Sequence, residues 1–163
     1  MNAPLPATAR FDIQGLAQAI AHCHASDALR CQFNPPHWDI LASYLQPFAL
    51  NSGQVLMEQG ALDRTLYFIE SGTLSVHYED EKARVRMALV GAGTVLGEGA
   101  FFSHVPRAAT VHASTACKLW CLTPMRFGEL ANRHSPIALE LTLALGAVMA
   151  KRLYNRPRRV AVT

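Results

Sequence analysis

The chain has 163 residues, half of them hydrophobic, with a formal net charge of +3. That length suits one domain around a single core, and so weak a positive balance makes no electrostatic case for nucleic acid or a membrane surface. Residues 1–10 lack the charged start and apolar run of a secretory signal and no stretch has the length of an uncharged span, so the expected location is cytoplasmic.

Residues 1–35 read as an N-terminal tail and helix, with Ile13, Leu16, Ala17 and Ile20 at helical spacing in a helix expected over Phe11–Leu29. Asn34 before Pro35 and Pro36 signals a cap and first turn, and Trp38, Leu41, Ala42 and Leu45 form the apolar face of a second helix that Pro47 ends. From Phe48 the period changes. Val55–Gln59 and Leu66–Ile69 are too short for helices, and Leu74–Glu79 and Arg84–Leu89 alternate around a polar tip at Asp80–Lys82, the pattern of a hairpin. Short strands punctuated by glycines at 53, 60, 72, 91 and 93 predict a double-sheet jelly roll, an α+β fold that is mainly β.

Residues 97–113, GEGAFFSHVPRAATVHA, carry the densest chemistry. Gly97 and Gly99 flank Glu98 and permit close backbone approach, while Ala100, Phe101 and Phe102 supply a helical turn whose N–H groups suit a phosphate. Arg107, at the mouth of the next strand, offers a planar fork of donors. Glu98 offers only acceptors and suits hydroxyls such as those of a ribose. After strands at Ala108–Ala113 and Cys117–Leu122, Thr123-Pro124 caps a short helix and Ser135-Pro136 a long one reaching about Asn155. Ile137, Leu141, Ala144, Leu145 and Val148 form one stripe of that helix. Leu139, Leu143 and Leu153 lie to its side, more apolar surface than one contact needs, and they predict a homodimer through this helix. Lys151, Arg152, Arg156, Arg158 and Arg159 form a basic end that complements the helix dipole.

Cys23, Cys31, Cys117 and Cys121 contain no CxxC pair, and Cys117 and Cys121 share a strand face with Leu119 as small buried hydrophobes do. Seven histidines are scattered at 22, 24, 37, 77, 104, 112 and 134. No Ser-His-Asp set, catalytic Cys-His signature or metal motif is readable, so neither an enzyme nor a bound metal or cofactor is expected.

The stretch Leu96, Gly97, Glu98, Ala100, Arg107, Ala108, Ala109, Val111, Ala113 resembles the phosphate-binding cassette of the cyclic nucleotide-binding domain family, and Pro106–Val111, PRAATV, is what regulatory subunits of the cyclic-AMP-dependent kinase carry. The resemblance runs from about Leu45 to the C-terminus and implies such a domain over 36–163, a double-stranded β-helix jelly-roll barrel at about 46–122 followed by two C-terminal helices at about 123–156. It implies a site made by Gly97, Glu98, Gly99, Ala100, Arg107, Ala108 and Ala109, with Glu98 on the ribose 2′-hydroxyl and Arg107, helped by the Ala108 N–H, on the cyclic phosphate. Gly99 and Phe101 replace aliphatic residues of the family pattern, and Met57 and Asp63 depart from its strictest form. With Ala108 rather than a hydroxyl residue after the arginine, the resemblance implies cyclic AMP over cyclic GMP. It also implies a C-terminal helix that closes over the base, for which Tyr154 is the first candidate cap and Arg152 the second. The expected protein is a stand-alone receptor acting on an unnamed downstream protein, without the helix-turn-helix that related transcription factors add, since only six residues follow Pro157. Two rivals share the scaffold: a barrel that has lost the nucleotide and serves as an interaction module, with Glu98 and Arg107 a structural pair, and a redox or haem sensor using the cysteines, His77 or His112.

Overall fold

In this computed structural model residues 10–155 are described, so Arg156, Pro157, Arg158 and Arg159 of the basic end lie outside the described residues. The first helix, α1, spans Ile13–Ala21, capped by Asp12, whose carboxylate accepts from the Gln14 N–H at 2.9 Å. It is shorter than the expected Phe11–Leu29. Its end is braced from outside: Arg30 donates to the carbonyls of Ile20 at 3.2 Å, which also accepts from the Cys23 N–H at 3.3 Å, and of Cys23 at 2.7 Å. Residues 22–34 then run without regular structure, yet Ala28 and Leu29 are buried in them. The second helix, α2, spans Pro35–Ala42, and Asn34 with His37 forms a capping box. Leu45, expected on its face, lies beyond it, because Tyr44 and Leu45 turn back to the carbonyls of Leu41 and Ala42; it is buried all the same.

Eight strands follow: β1 Gln46–Leu50, β2 Val55–Met57, β3 Leu66–Ser71, β4 Leu74–Glu79, β5 Val85–Val90, β6 Val95–Leu96, β7 Thr110–Ala113 and β8 Cys117–Leu122. They form two antiparallel four-stranded sheets, ordered β1-β8-β3-β6 and β2-β7-β4-β5, which make the expected jelly roll without closing into one continuous barrel. Pro47 does not end a helix but stands in β1, an edge strand, where a residue without an N–H is tolerated. The helix α3, Glu98–Ser103, interrupts the strands between β6 and β7. Two helices close the chain, α4 Pro124–Arg133, capped by the Thr123 hydroxyl, and α5 Ser135–Tyr154. The residue capping α5 is His134 rather than Ser135, and it makes no side-chain cap bond.

Two clusters form the core. One joins α1, α2, α4 and α5 to β3 and β8 through residues such as Leu16, Trp38, Phe68, Trp120, Leu141 and Leu145. The other lies between the sheets, around Ile69, Leu74, Leu96, Val111 and Leu119. Gly93, at φ +85°, is the hinge between them: a Cβ there would meet the Ala19 carbonyl and the Cys23 Cβ, so glycine lets α1 lie against the turn that leads into β6. Ile137, Leu141, Ala144, Leu145 and Val148 are buried as the sequence predicts, whereas Leu139, Leu143 and Leu153 are each more than 60% exposed.

Leu119 sits at the centre of β8, paired on both sides by β1 and β3 and fully buried. Leu119→Ala is expected to cost about 2–5 kcal/mol through lost burial and a residual cavity. Urea denaturation measures it, and a loss below about 1 kcal/mol would mean that the sheet collapses around the gap.

Candidate functional site

Gly97 ends β6 and caps α3 at φ +87°. A Cβ at this position would lie 2.7 Å from the Thr65 carbonyl and collide with the Arg107 guanidinium, so only glycine lets the chain cross over that arginine. The turn of helix after it is held at its far end by Arg64, which donates to the carbonyls of Ala100 at 3.3 Å and Phe101 at 2.8 Å. Phe101 is buried and stacks edge-on against Phe102 and Phe127, tying the loop to α4.

Arg107 is only 3% exposed. Its backbone is pinned on both sides, the N–H donating to Ala61 and the carbonyl accepting from Gly60, each at 2.8 Å. From the guanidinium, Nη2 donates to the Asp63 carboxylate and, at 2.7 Å, to the Thr65 carbonyl, and Nη1 donates to the Gly97 carbonyl at 3.3 Å. Nε is buried with no hydrogen-bond partner among the described residues. An unpaired donor that is buried is costly and calls for an explanation. Asp63 was legible in the sequence only as a departure from the family pattern. It forms a turn with Thr65, accepting from its N–H at 3.1 Å and its hydroxyl at 2.8 Å. Burial alone would raise the Asp63 pKa, but the hydrogen bonds from Arg107 and Thr65 outweigh it and hold the carboxyl below its ordinary value. The Tyr67 ring lies 5.8 Å from the guanidinium carbon, and burial pushes its phenol up to about 12.

Arg107 and Glu98 line one cavity of about 660 Å³. Gly97, Gly99, Ala100, Ala108 and Ala109 line it with them, so these seven residues meet in one place, whereas Ala113 of the same stretch does not line the cavity. Val76, Ala88, Val90, Met57 and Val111 give it an apolar wall, and Met149, Arg152 and Leu153 of α5 close one side. Arg152 reaches Glu98, with Nη1 and Oε1 2.7 Å apart. Tyr154 does not line the cavity and is 88% exposed. Two residues along a helix are about 200° apart around its axis, so Arg152 and Tyr154 cannot both face inward. Of the two expected caps, the inward one is Arg152.

His77 and His112 alternate with the cavity-lining Val76 and Val111, so their rings, 5.3 Å apart, occupy the opposite face of the sheet. All four cysteines are free thiols. Burial, with Glu140 nearby, pushes the Cys31 thiol up to about 12, and burial, with Asp63 nearby, does the same to Cys121. Among the described residues no three His, Cys, Asp or Glu side chains cluster as metal ligands, and no helix is long and apolar enough to cross a membrane.

The model of the cyclic nucleotide-binding domain matches residues 47–134. The chain belongs to that family. A cAMP-dependent protein kinase type II regulatory subunit of Drosophila melanogaster is 38% identical over 74 residues, 45% of this chain and 20% of that protein. The cAMP-activated global transcriptional regulator CRP of Escherichia coli O6:H1 is 32% identical over 111 residues, 67% of this chain and 51% of the regulator. The chain thus spans between a fifth and half of the length of these two relatives. The crystal structure of a cyclic nucleotide-binding domain from Methylobacillus flagellatus has a TM-score of 0.77 at 20% identity, covering 87% of this chain and 78% of that one, which is a likeness of fold. The stretch matched to the cyclic nucleotide-binding domain contains Glu98 and Arg107 but neither Asp27 nor Arg152.

The depressed pKa of Asp63 has a sign. A carboxyl whose folded value lies below its unfolded one, about 3.9, adds stability above that value and loses it as pH falls toward the folded pKa. Urea midpoints from pH 6 to 3 should therefore fall more steeply in the wild type than in Asp63→Asn, so that the wild type's advantage shrinks below about pH 4. Parallel profiles would show that the Asp63 to Arg107 pair carries no net stability.

Proposed function

We propose that the chain is a receptor for cyclic AMP, without catalytic chemistry of its own, acting in the cytoplasm on a downstream protein. One observation carries the reading: Arg107, a buried cation whose Nε has no partner among the described residues, lines the same cavity as the Glu98 carboxylate. A cyclic phosphate supplies an anionic acceptor for the Arg107 guanidinium, and the ribose 2′-hydroxyl supplies a donor for Glu98. Arg152 uses one oxygen of that carboxylate, which leaves the other to accept. The apolar wall of Val76, Ala88 and Val90 suits a purine. Ala108 offers no hydroxyl to a guanine amino group, which supports cyclic AMP over cyclic GMP. Binding is read as closure of the end of α5, with the Arg152 guanidinium stacking toward the base, and closure follows only if the ligand makes better contacts in the closed form.

Calorimetry with cyclic AMP, cyclic GMP and 2′-deoxy cyclic AMP tests this. The expected order is cyclic AMP tightest, with Glu98→Ala abolishing the preference for cyclic AMP over its 2′-deoxy form because the acceptor is gone. No heat with any cyclic nucleotide would instead support a barrel that serves as an interaction module, and a cyclic GMP preference would refute the base assignment.

The second part of the proposal is a homodimer through α5. Leu139, Leu143, Gly146, Ala150 and Leu153 are all exposed and follow one another at spacings of four, three, four and three, the seam of a left-handed coiled coil. Gly146 and Ala150 let two such helices approach closely. Light scattering after size exclusion is expected to give a dimer for the wild type and a monomer for Leu143→Glu. A wild-type monomer at about 100 μM, weaker than a dissociation constant of that order, would contradict the seam.

A further inference from the structure

Arg152 is held on three sides. Nη1 pairs with Glu98 at 2.7 Å, Nη2 donates to the Val95 carbonyl at 2.8 Å, and Nε donates to Asp27 Oδ2 at 2.7 Å. Asp27 lies in the irregular connection between α1 and α2, 125 positions away in sequence, and itself lines the mouth of the cavity. All three side chains are about three-quarters or more shielded from solvent, so the triad is not a solvated surface pair. The same connection touches α5 elsewhere. The Gln32 N–H donates to Glu140 Oε1 at 2.8 Å, and Asn155 Nδ2 approaches Ser26 Oγ at 3.3 Å. It therefore spans α5 from its first turns to its last, with the charged contact opposite Glu98. Burial would lower the Arg152 pKa, but Glu98 and Asp27 outweigh it and hold the guanidinium charged.

We propose that Asp27 is a positioning residue for the nucleotide site: through Arg152 it orients the Glu98 carboxylate toward the ribose and anchors the end of α5, so that the connection 22–34 responds to occupancy of the cavity. Arg152 alone could swing away from Glu98, since its long side chain has many rotamers to lose. Asp27 fixes the guanidinium from its far side and leaves one Glu98 oxygen facing inward. By reciprocity, a ligand that engages Glu98 stabilises the docking of residues 22–34, and any partner that pulls that connection away weakens nucleotide binding.

The proposal rests on the cyclic nucleotide reading, and two measurements keep them separable. In titrations, Asp27→Ala is expected to weaken cyclic AMP about tenfold while leaving 2′-deoxy cyclic AMP within about twofold, so the hydroxyl preference shrinks as it does in Glu98→Ala. The double variant Asp27→Ala with Arg152→Gln should bind no more weakly than Arg152→Gln alone, because the two act as one unit. An unchanged hydroxyl preference in Asp27→Ala, tighter binding, or additive losses would each overturn the proposal. Independently of any ligand, hydrogen exchange in Asp27→Ala should accelerate over residues 146–155. Should the wild type bind no cyclic nucleotide, the nucleotide reading falls and exchange alone decides: faster exchange keeps Asp27 as the anchor of α5, and unchanged exchange removes it.

Discussion

A guanidinium taken almost wholly out of water must find acceptors for its five N–H groups, and the arrangement around Arg107 follows from that demand. Asp63 and the Thr65 carbonyl, from one turn, and the Gly97 carbonyl, from another segment, converge on it. Each fixes something else in turn. The Asp63 turn sets the entry to β3, Gly97 must be glycine for the chain to pass, and the pairing of Arg107 with Gly60 and Ala61 sets where β7 begins. The jelly roll thus brings two loops to one buried cation, whose Nε has no partner among the described residues.

The helices around the sheets place a second cation at the same cavity. α5 is seated along its buried stripe, which leaves Arg152 pointing inward and Tyr154 outward. Arg107 is rigid and set from below by strands and turns, whereas Arg152 is carried on the end of a helix and held by two carboxylates. A cation fixed by the sheets and a second carried by a helix, both lining one cavity, are an arrangement in which a bound molecule's contacts can be converted into helix position. In the proposed dimer the seam of α5, whose Ala150 and Leu153 also line the cavity, would pass such a change to a second copy.

Much of this was legible in the residues. Alternation marked β4 and β5, glycines marked the turns, and the spacing of Glu98 and Arg107 within small residues marked the cassette, because close approach of backbone to backbone leaves a local compositional trace. What could not be read was long-range. Asp63 is 44 positions from Arg107 and Asp27 is 125 from Arg152, and an aspartate in a turn looks the same whether or not a cation meets it. The end of α1 was misplaced for a related reason: Leu29 fits the helical period, but Arg30 reaches back to stop the helix at Ala21 and Leu29 is buried from a loop instead. The choice between Arg152 and Tyr154 needed the phase of α5 on the sheets, which is fixed by packing rather than by either residue.

The most direct measurement is the affinity of Arg107→Ala and Arg107→Lys for cyclic AMP, with unfolding followed in parallel. With the Arg107 guanidinium as the phosphate donor, alanine should cost about 2–5 kcal/mol of binding, since the ligand charge is left buried and unpaired. Lysine should recover little of it, having the charge but not the fork. Wild-type affinity in a folded Arg107→Ala protein would contradict the account, leaving Arg107 as the partner of Asp63 and nothing more.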